Sequence, residues 1–138
     1  MNGWQQQGLI DRYPDLLEIE PCPWGPGMEF TFRVRAAGWF DLLDRFCHAV
    51  TFINRRQGSD AIACKVKYIK EKMGELRIAC DGANEQIRIL INGVRQESTR
   101  TCQVCGQYGT LHILPGGVAA TLCEGDAKQL ARPRLRTV

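Results

Sequence analysis

The chain has 138 residues and a formal net charge of +3, with 44% hydrophobic and 24% charged residues. These ordinary values predict a globular protein with a buried core, and no apolar run approaches the roughly 18 residues that a membrane-spanning helix needs. The N-terminus lacks the basic and then apolar pattern of a secretory signal. Seven cysteines therefore indicate metal binding and burial in a cytoplasmic protein rather than a disulfide framework.

The hydrophobic patterns within residues 1–100 predict an α+β domain. A short helical turn is expected at 9–13, before Pro14, and a loop at 21–27, where prolines and glycines concentrate. Apolar and polar residues then alternate from Met28 to Arg35, as in a half-buried strand. Gly38 to Gln57 is the strongest helical pattern, because its apolar residues recur every three or four positions. These residues are Trp39, Leu42, Leu43, Phe46, Cys47, Val50 and Ile53.

A β-hairpin is predicted over Ala61 to Cys80, with Gly74 in its turn. In its first strand the expected inward residues are Ile62, Cys64, Val66 and Tyr68. A second helix is predicted from Asn84 to Ser98, with Asp81 or Asn84 as its cap. Strand, helix, hairpin and helix in this order predict a small antiparallel sheet covered by two helices.

The segment that follows has the most specific chemistry. Cys102 and Cys105 form a CxxC turn, Cys123 follows after a spacing that suits a hairpin, and Asp126 lies three residues later. Such spacing is typical of structural zinc sites. A segment of fewer than about 40 residues with few apolar side chains seldom folds without a metal or a cross-link. We therefore expect these four residues to bind Zn in a treble-clef-like module of knuckle, hairpin and short helix.

The sequence leaves the fourth ligand open. Asp126 also suits the first turn of a helix, in which case His112, another cysteine or water would complete the site. A redox dithiol is the rival interpretation of the CxxC motif, but it leaves Cys123 without a role. The predicted organisation is an α+β domain at 1–100, a zinc module at 101–131 and a basic tail at 132–138.

Basic residues of the hairpin offer a second candidate surface. The possible nucleic-acid contacts are Lys65, Lys67, Lys70, Lys72 and Arg77, to which the tail adds Arg132, Arg134 and Arg136. The simpler interpretation is that the lysines shield an exposed strand face, where Glu71 and Glu75 reduce the positive potential.

Three motifs resemble a family of small uncharacterised bacterial and phage-encoded proteins. They are GWFDLLD at 38–44, VKYIKEKMGELR at 66–77, and CQVCG at 102–106 with LC at 122–123. The resemblance extends from about Tyr13 onward and implies a phage or mobile-element origin without an assigned activity. The family pattern has histidine where this chain has Asp126.

The CQVCG turn, residues 109–113 and the LC pair are also similar to the zinc scaffold of endonuclease VII-type treble-clef nucleases. Those enzymes need further histidine, aspartate or asparagine residues to hold a catalytic Mg²⁺. Here His112 is followed by no second histidine and no suitable carboxylate.

No other catalytic arrangement is evident, because the two histidines are far apart and no glycine-rich loop suits a phosphate. We expect a non-enzymatic, zinc-stabilised protein that binds a host protein, as a phage-encoded inhibitor would, and no membrane partner. The alternative is a nucleic-acid-binding module that uses the Lys65–Lys72 strip and the arginine-rich tail. A degenerate nuclease is the third interpretation.

Overall fold

Helices and short strands alternate along the chain, whose computed structural model describes residues 3–18, 32–58 and 61–131. Its helices are α1 (Gly3–Arg12), α2 (Phe40–Arg56), α3 (Glu85–Ser98) and α4 (Glu124–Ala131). Its strands are β1 (Phe32–Arg33), β2 (Lys65–Lys72), β3 (Glu75–Asp81), β4 (Thr110–Ile113) and β5 (Ala119–Leu122). The predicted α+β class is confirmed. The expected loop at 21–27, the start of the expected strand at 28–31 and the basic tail lie outside the described residues.

The larger sheet has the strand order β1-β2-β3. β2 and β3 form the predicted antiparallel hairpin, and its turn contains Met73 and Gly74 with φ of +51° and +76°. Two positive φ values are typical of the type I′ turn, whose twist matches that of a hairpin. β1 adds a short parallel pair, with Phe32 opposite Ile69, which the sequence pattern did not indicate. Two parallel strands need a long crossover connection, and α2 lies in the connection between β1 and β2.

The predicted alternation along β2 is wrong beyond Val66. Val66 lies opposite Cys80 and Tyr68 opposite Ala79, so Lys67 is an extra residue in a β-bulge. The bulge shifts the inward positions by one residue, because successive strand residues face opposite ways. Ile69 is therefore fully buried where Tyr68 was expected, and Tyr68 is only half-buried. Ile62 precedes the strand and is 81% exposed.

The predicted amphipathic helix is confirmed as α2, which follows a 3₁₀ turn at Ala37–Trp39. Its apolar stripe is buried in the main core together with residues from α1, β2, β3 and α3. Asn84, one of the two expected caps, begins α3 by accepting a hydrogen bond from the Ile87 N–H at 2.9 Å. α1 is longer than the predicted turn, and its Leu9 is fully buried in the same core.

Main-chain and side-chain hydrogen bonds join the C-terminal segment to the start of α2 and to the β2–β3 turn. The Trp39 indole N–H donates to the Thr101 carbonyl at 2.9 Å. The Thr121 hydroxyl donates to the Gly74 carbonyl at 2.5 Å. The segment's own buried apolar residues form a small second cluster of Cys102, Ala120, Leu122 and Ala127.

Candidate metal centre

The four predicted metal ligands come together around the C-terminal hairpin. Cys102 and Cys105 lie in the turn before β4, Cys123 directly follows β5, and Asp126 lies in the first turn of α4. Their ligand atoms, three Sγ atoms and one carboxylate oxygen, all lie within 4.8 Å of one another. These four residues therefore form a cluster that can hold a metal ion.

Three of the distances within the cluster are close to those of a tetrahedral site. With zinc–sulfur bonds of about 2.3 Å, two ligand sulfurs in a tetrahedron are about 3.8 Å apart, and a sulfur and a carboxylate oxygen about 3.5 Å. The Sγ atoms of Cys105 and Cys123 are 3.7 Å apart. Asp126 Oδ2 lies 3.2 Å from Cys102 Sγ and 3.1 Å from Cys123 Sγ. Changes of at most about 1 Å in these separations would bring all four atoms to tetrahedral distances around an ion.

Asp126 occupies the position that the sequence left open. Its backbone N–H donates to Cys123 Sγ at 3.4 Å, which anchors the first turn of α4 against the cluster. Asp126 therefore lies in the first turn of a helix and also beside the thiols. Its position is compatible both with a role in the helix and with a role as a metal ligand. His112, the other named candidate, lies on β4 with its Nε2 3.3 Å from Thr110 Oγ1 and is not part of the cluster.

Hydrogen bonds among the ligands shift their protonation. Bonds donated by the thiols of Cys123, Cys102 and Cys105 hold the pKa of Asp126 below its usual value. A backbone hydrogen bond to Gln107 favours the Cys105 thiolate, but desolvation and bonds with the other ligands raise the pKa of Cys105 to about 12. A metal ion must displace such thiol protons, so metal binding weakens as the pH falls.

Gly38 fixes the CxxC turn against the start of α2. Its N–H donates to the Gln103 carbonyl at 2.8 Å. A Cβ at this position would lie 2.0 Å from the Cys102 carbonyl oxygen and 2.6 Å from the Gly106 nitrogen. Such distances are impossible for a side chain, so only glycine allows this contact between backbones. The sequence pattern predicts Gly38 at the start of a helix and gives no sign of its contact with the cysteine turn.

Gln103 joins the CxxC turn to both hairpins and was also missed. It is 7% exposed, its N–H donates to the Thr121 carbonyl at 2.8 Å, and its side-chain Oε1 accepts from the Thr121 N–H at 2.7 Å. Its side-chain amide donates to Glu71, which also accepts from the Arg35 N–H at 3.2 Å. Glu71 therefore anchors the turn. No short-range pattern could have indicated these contacts.

The predicted basic strip is interrupted by the bulge at Lys67. On one side of it, Lys65 is 2.5 Å from a carboxylate oxygen of Glu18. On the other side, Lys70, Lys72 and Arg77 line a shallow cavity of about 360 Å³ together with Tyr68 and Glu71. The Lys70 Nζ lies 4.6 Å from the centroid of the Tyr68 ring, and Arg77 is 3.6 Å from Glu75.

A groove between α2 and α3 is a further candidate site that the sequence did not reveal. It has a volume of about 870 Å³. Phe52 is 55% exposed and Ile89 63% exposed, and both line the groove. The Arg56 guanidinium lies 5.3 Å from the centroid of the Phe52 ring, and His48 is also in the lining. The groove is therefore largely apolar, with the Arg56 guanidinium in its lining.

Among the described residues, none of the helices is both long enough and apolar enough to cross a bilayer. Comparison of the chain with protein-family models, with curated proteins and with solved structures gives no match. The site itself therefore carries the functional argument.

Proposed function

We propose that this chain is a non-enzymatic binding protein whose C-terminal segment is folded by a structural zinc ion. The observation that carries the proposal is the cluster of Cys102, Cys105, Cys123 and Asp126 within 4.8 Å. Four protein ligands fill a tetrahedral shell, whereas a catalytic zinc keeps one position for water or substrate. The order of knuckle, hairpin and short helix around the cluster supports a treble-clef-like arrangement.

Zinc is the metal that best suits these ligands. Three thiolates in a tetrahedral, sulfur-rich site select zinc or an iron–sulfur cluster over hard cations such as Mg²⁺ or Ca²⁺. The carboxylate of Asp126 favours a single zinc ion, because iron–sulfur clusters are normally held by cysteines. The small core of the segment is consistent with a metal that contributes to folding.

Elemental analysis of the purified chain tests the metal assignment. We expect about one zinc per chain, and loss of most of it in Cys102→Ser and Cys123→Ser. Asp126→Ala should weaken zinc binding by about 10-fold or more while His112→Ala leaves it unchanged. Equal zinc retention in all four variants would contradict the ligand set. Mg²⁺-dependent DNA cleavage that is lost in His112→Ala would contradict the non-enzymatic role.

The groove between α2 and α3 supports a protein partner. Its exposed apolar residues suit an amphipathic helix, which binds through a row of apolar side chains. Arg56 in the lining of the groove favours a partner helix with acidic residues beside that row. The resemblance to phage-encoded proteins supports a bacterial host protein as the source of this helix.

Variants of the groove test this partner. We expect Phe52→Asp and Ile89→Asp to abolish specific capture of a host protein, because each places a carboxylate where the apolar row of the partner helix would dock, and burying that charge is costly. Val118→Asp is the matched control, since Val118 is 59% exposed on the C-terminal hairpin. Equal capture of the host protein by all three variants would contradict the groove as the binding surface. So would the absence of saturable binding between the purified chain and the captured host protein.

A nucleic-acid-binding role is the second candidate, and the cavity on the sheet supports it. An aromatic ring beside Lys70, Lys72 and Arg77 combines a stacking surface with positive charge. We expect affinity for single-stranded DNA to fall as salt rises, with a shallower slope in Lys70→Ala/Lys72→Ala. Lys128→Ala is the control, because Lys128 lies on α4. Absence of binding at low salt would exclude this role.

A further inference from the structure

The outer edge of β4 has backbone groups with no partner among the residues that the structure describes. The Leu114 N–H donates to the Val118 carbonyl at 2.8 Å, next to the end of the β4–β5 ladder. Bonded pairs alternate along an antiparallel ladder, so His112 with Ala120 and Thr110 with Leu122 are the next bonded pairs. The intervening residues direct their N–H and C=O groups away from the ladder.

Thr121 provides independent support for this alternation. Its N–H and C=O groups face away from β4 and bond to Gln103 at 2.7 and 2.8 Å. Leu111 lies opposite Thr121 in the ladder, so its own N–H and C=O groups face away from β5. The same holds for Ile113, two residues further along. One edge of this two-stranded sheet is therefore occupied by Gln103, and the other is open within the described chain.

Leu111 and Ile113 give β4 one apolar face, and β4 contains no Asp, Glu, Lys or Arg. Leu111 is 59% exposed and Ile113 is 68% exposed. The sequence from Thr101 to Cys123 contains no Asp, Glu, Lys or Arg, although 24% of the whole chain is charged. Proteins protect an exposed edge by keeping the strand short or with lysine, proline or a bulge. β4 is short, with four residues. β4 contains neither lysine nor proline, and its register with β5 is regular.

We propose that β4 pairs antiparallel with β4 of a second copy of this chain, which creates a continuous four-stranded sheet. With Leu111 opposite the partner's Ile113, the two copies exchange four backbone hydrogen bonds around a twofold axis beside His112. The Leu and Ile side chains then meet on one face, as favourable cross-strand pairs do. A strand with charged side chains would bring unpaired charge against this uncharged stretch. The identical strand matches it in charge, length and apolar pattern.

Sedimentation velocity of the zinc-loaded full chain over a range of concentrations tests this pairing. We expect a reversible, concentration-dependent dimer, because four hydrogen bonds and two apolar pairs form a small interface. A mass that stays monomeric up to about 1 mM overturns the proposal.

Two substitutions at one position separate this interface from any other. Ile113→Pro removes an N–H that faces away from β5, so it blocks the edge and leaves the β4–β5 ladder intact. Ile113→Lys adds a charge at the same edge. Each should raise the dimer dissociation constant at least 10-fold, whereas Val118→Lys should change it less than about 2-fold. Zinc content and circular dichroism check that the variants are folded.

A dimer that both Ile113 variants leave unchanged would use another surface and would overturn the inference. If Ile113→Pro does not fold, Ile113→Lys against Val118→Lys still decides the result. The inference is independent of the proposed helix-binding groove, which lies between α2 and α3. Loss of self-association with intact capture of a partner, or the reverse, distinguishes the two.

Discussion

At the scale of single residues, Gly38 matters because of the atoms that a side chain would meet. Gly38→Ala should lower the free energy of unfolding by at least about 2 kcal/mol, since the added Cβ would force the CxxC turn away from α2. Gly93→Ala is the control, because no atom lies within 4 Å of a Cβ there and alanine is the better helix former. This second change should stabilise the protein by about 0.5–1 kcal/mol, and urea unfolding measures both. Equal effects of the two substitutions would contradict the assigned contact.

Tyr13 gives a prediction about pH at the same scale. Its hydroxyl donates to Asp44 Oδ1 at 2.8 Å, and burial together with this bond raises the pKa of Tyr13 to about 12. The folded pKa lies above the usual value of about 10, so the stabilisation is complete below about pH 10 and is lost as the pH rises toward 12. Urea unfolding above about pH 10 should therefore show a steeper loss of stability in the wild type than in Tyr13→Phe. Parallel pH profiles would contradict this.

At the scale of elements, the β2–β3 turn carries a residue that is not suited to its conformation. Met73 has a φ of +51° and is 73% exposed, so it bears the cost of a left-handed conformation with little packing in return. Met73→Asn should raise the free energy of unfolding by about 0.5–1 kcal/mol, because Asn-Gly is the preferred type I′ pair. Met73→Val should lower it, since a branched Cβ is least compatible with positive φ. Chemical denaturation of the three proteins tests the order.

Local features of the fold could be predicted from the sequence, whereas features that depend on contacts between distant residues could not. α2 was predictable because its apolar residues repeat with the helical period, which is a local property of the chain. The bulge at Lys67 was not, since it depends on how β2 aligns with β3. The clustering of Cys102, Cys105, Cys123 and Asp126 was predictable from the spacing of cysteines around a hairpin. Gln103 and Gly38 were not, because they contact residues that are distant in sequence.

At the scale of the whole molecule, the two hydrophobic clusters differ in size. The main cluster draws on α1, α2, β2, β3 and α3, whereas the C-terminal cluster has four buried members, Cys102, Ala120, Leu122 and Ala127, within the described chain. We expect a zinc chelator to remove hydrogen-exchange protection from β4 and β5 first, because the proposed zinc ion, rather than a large core, would hold these strands in place. α2 and α3 should keep their protection. A uniform loss of hydrogen-exchange protection across the chain, or no loss of protection at all, would contradict this order.

The backbone contact at Gly38 also limits how the protein can be divided. A fragment that ends at residue 100 leaves the Trp39 indole N–H without its carbonyl acceptor, Thr101, and uncovers the surface at Gly38. A fragment that begins at residue 101 loses the same contact, because it lacks Trp39 and Gly38. Transplanting the cysteine segment into another scaffold would therefore require a glycine at the receiving site, presented at the same angle to the incoming turn.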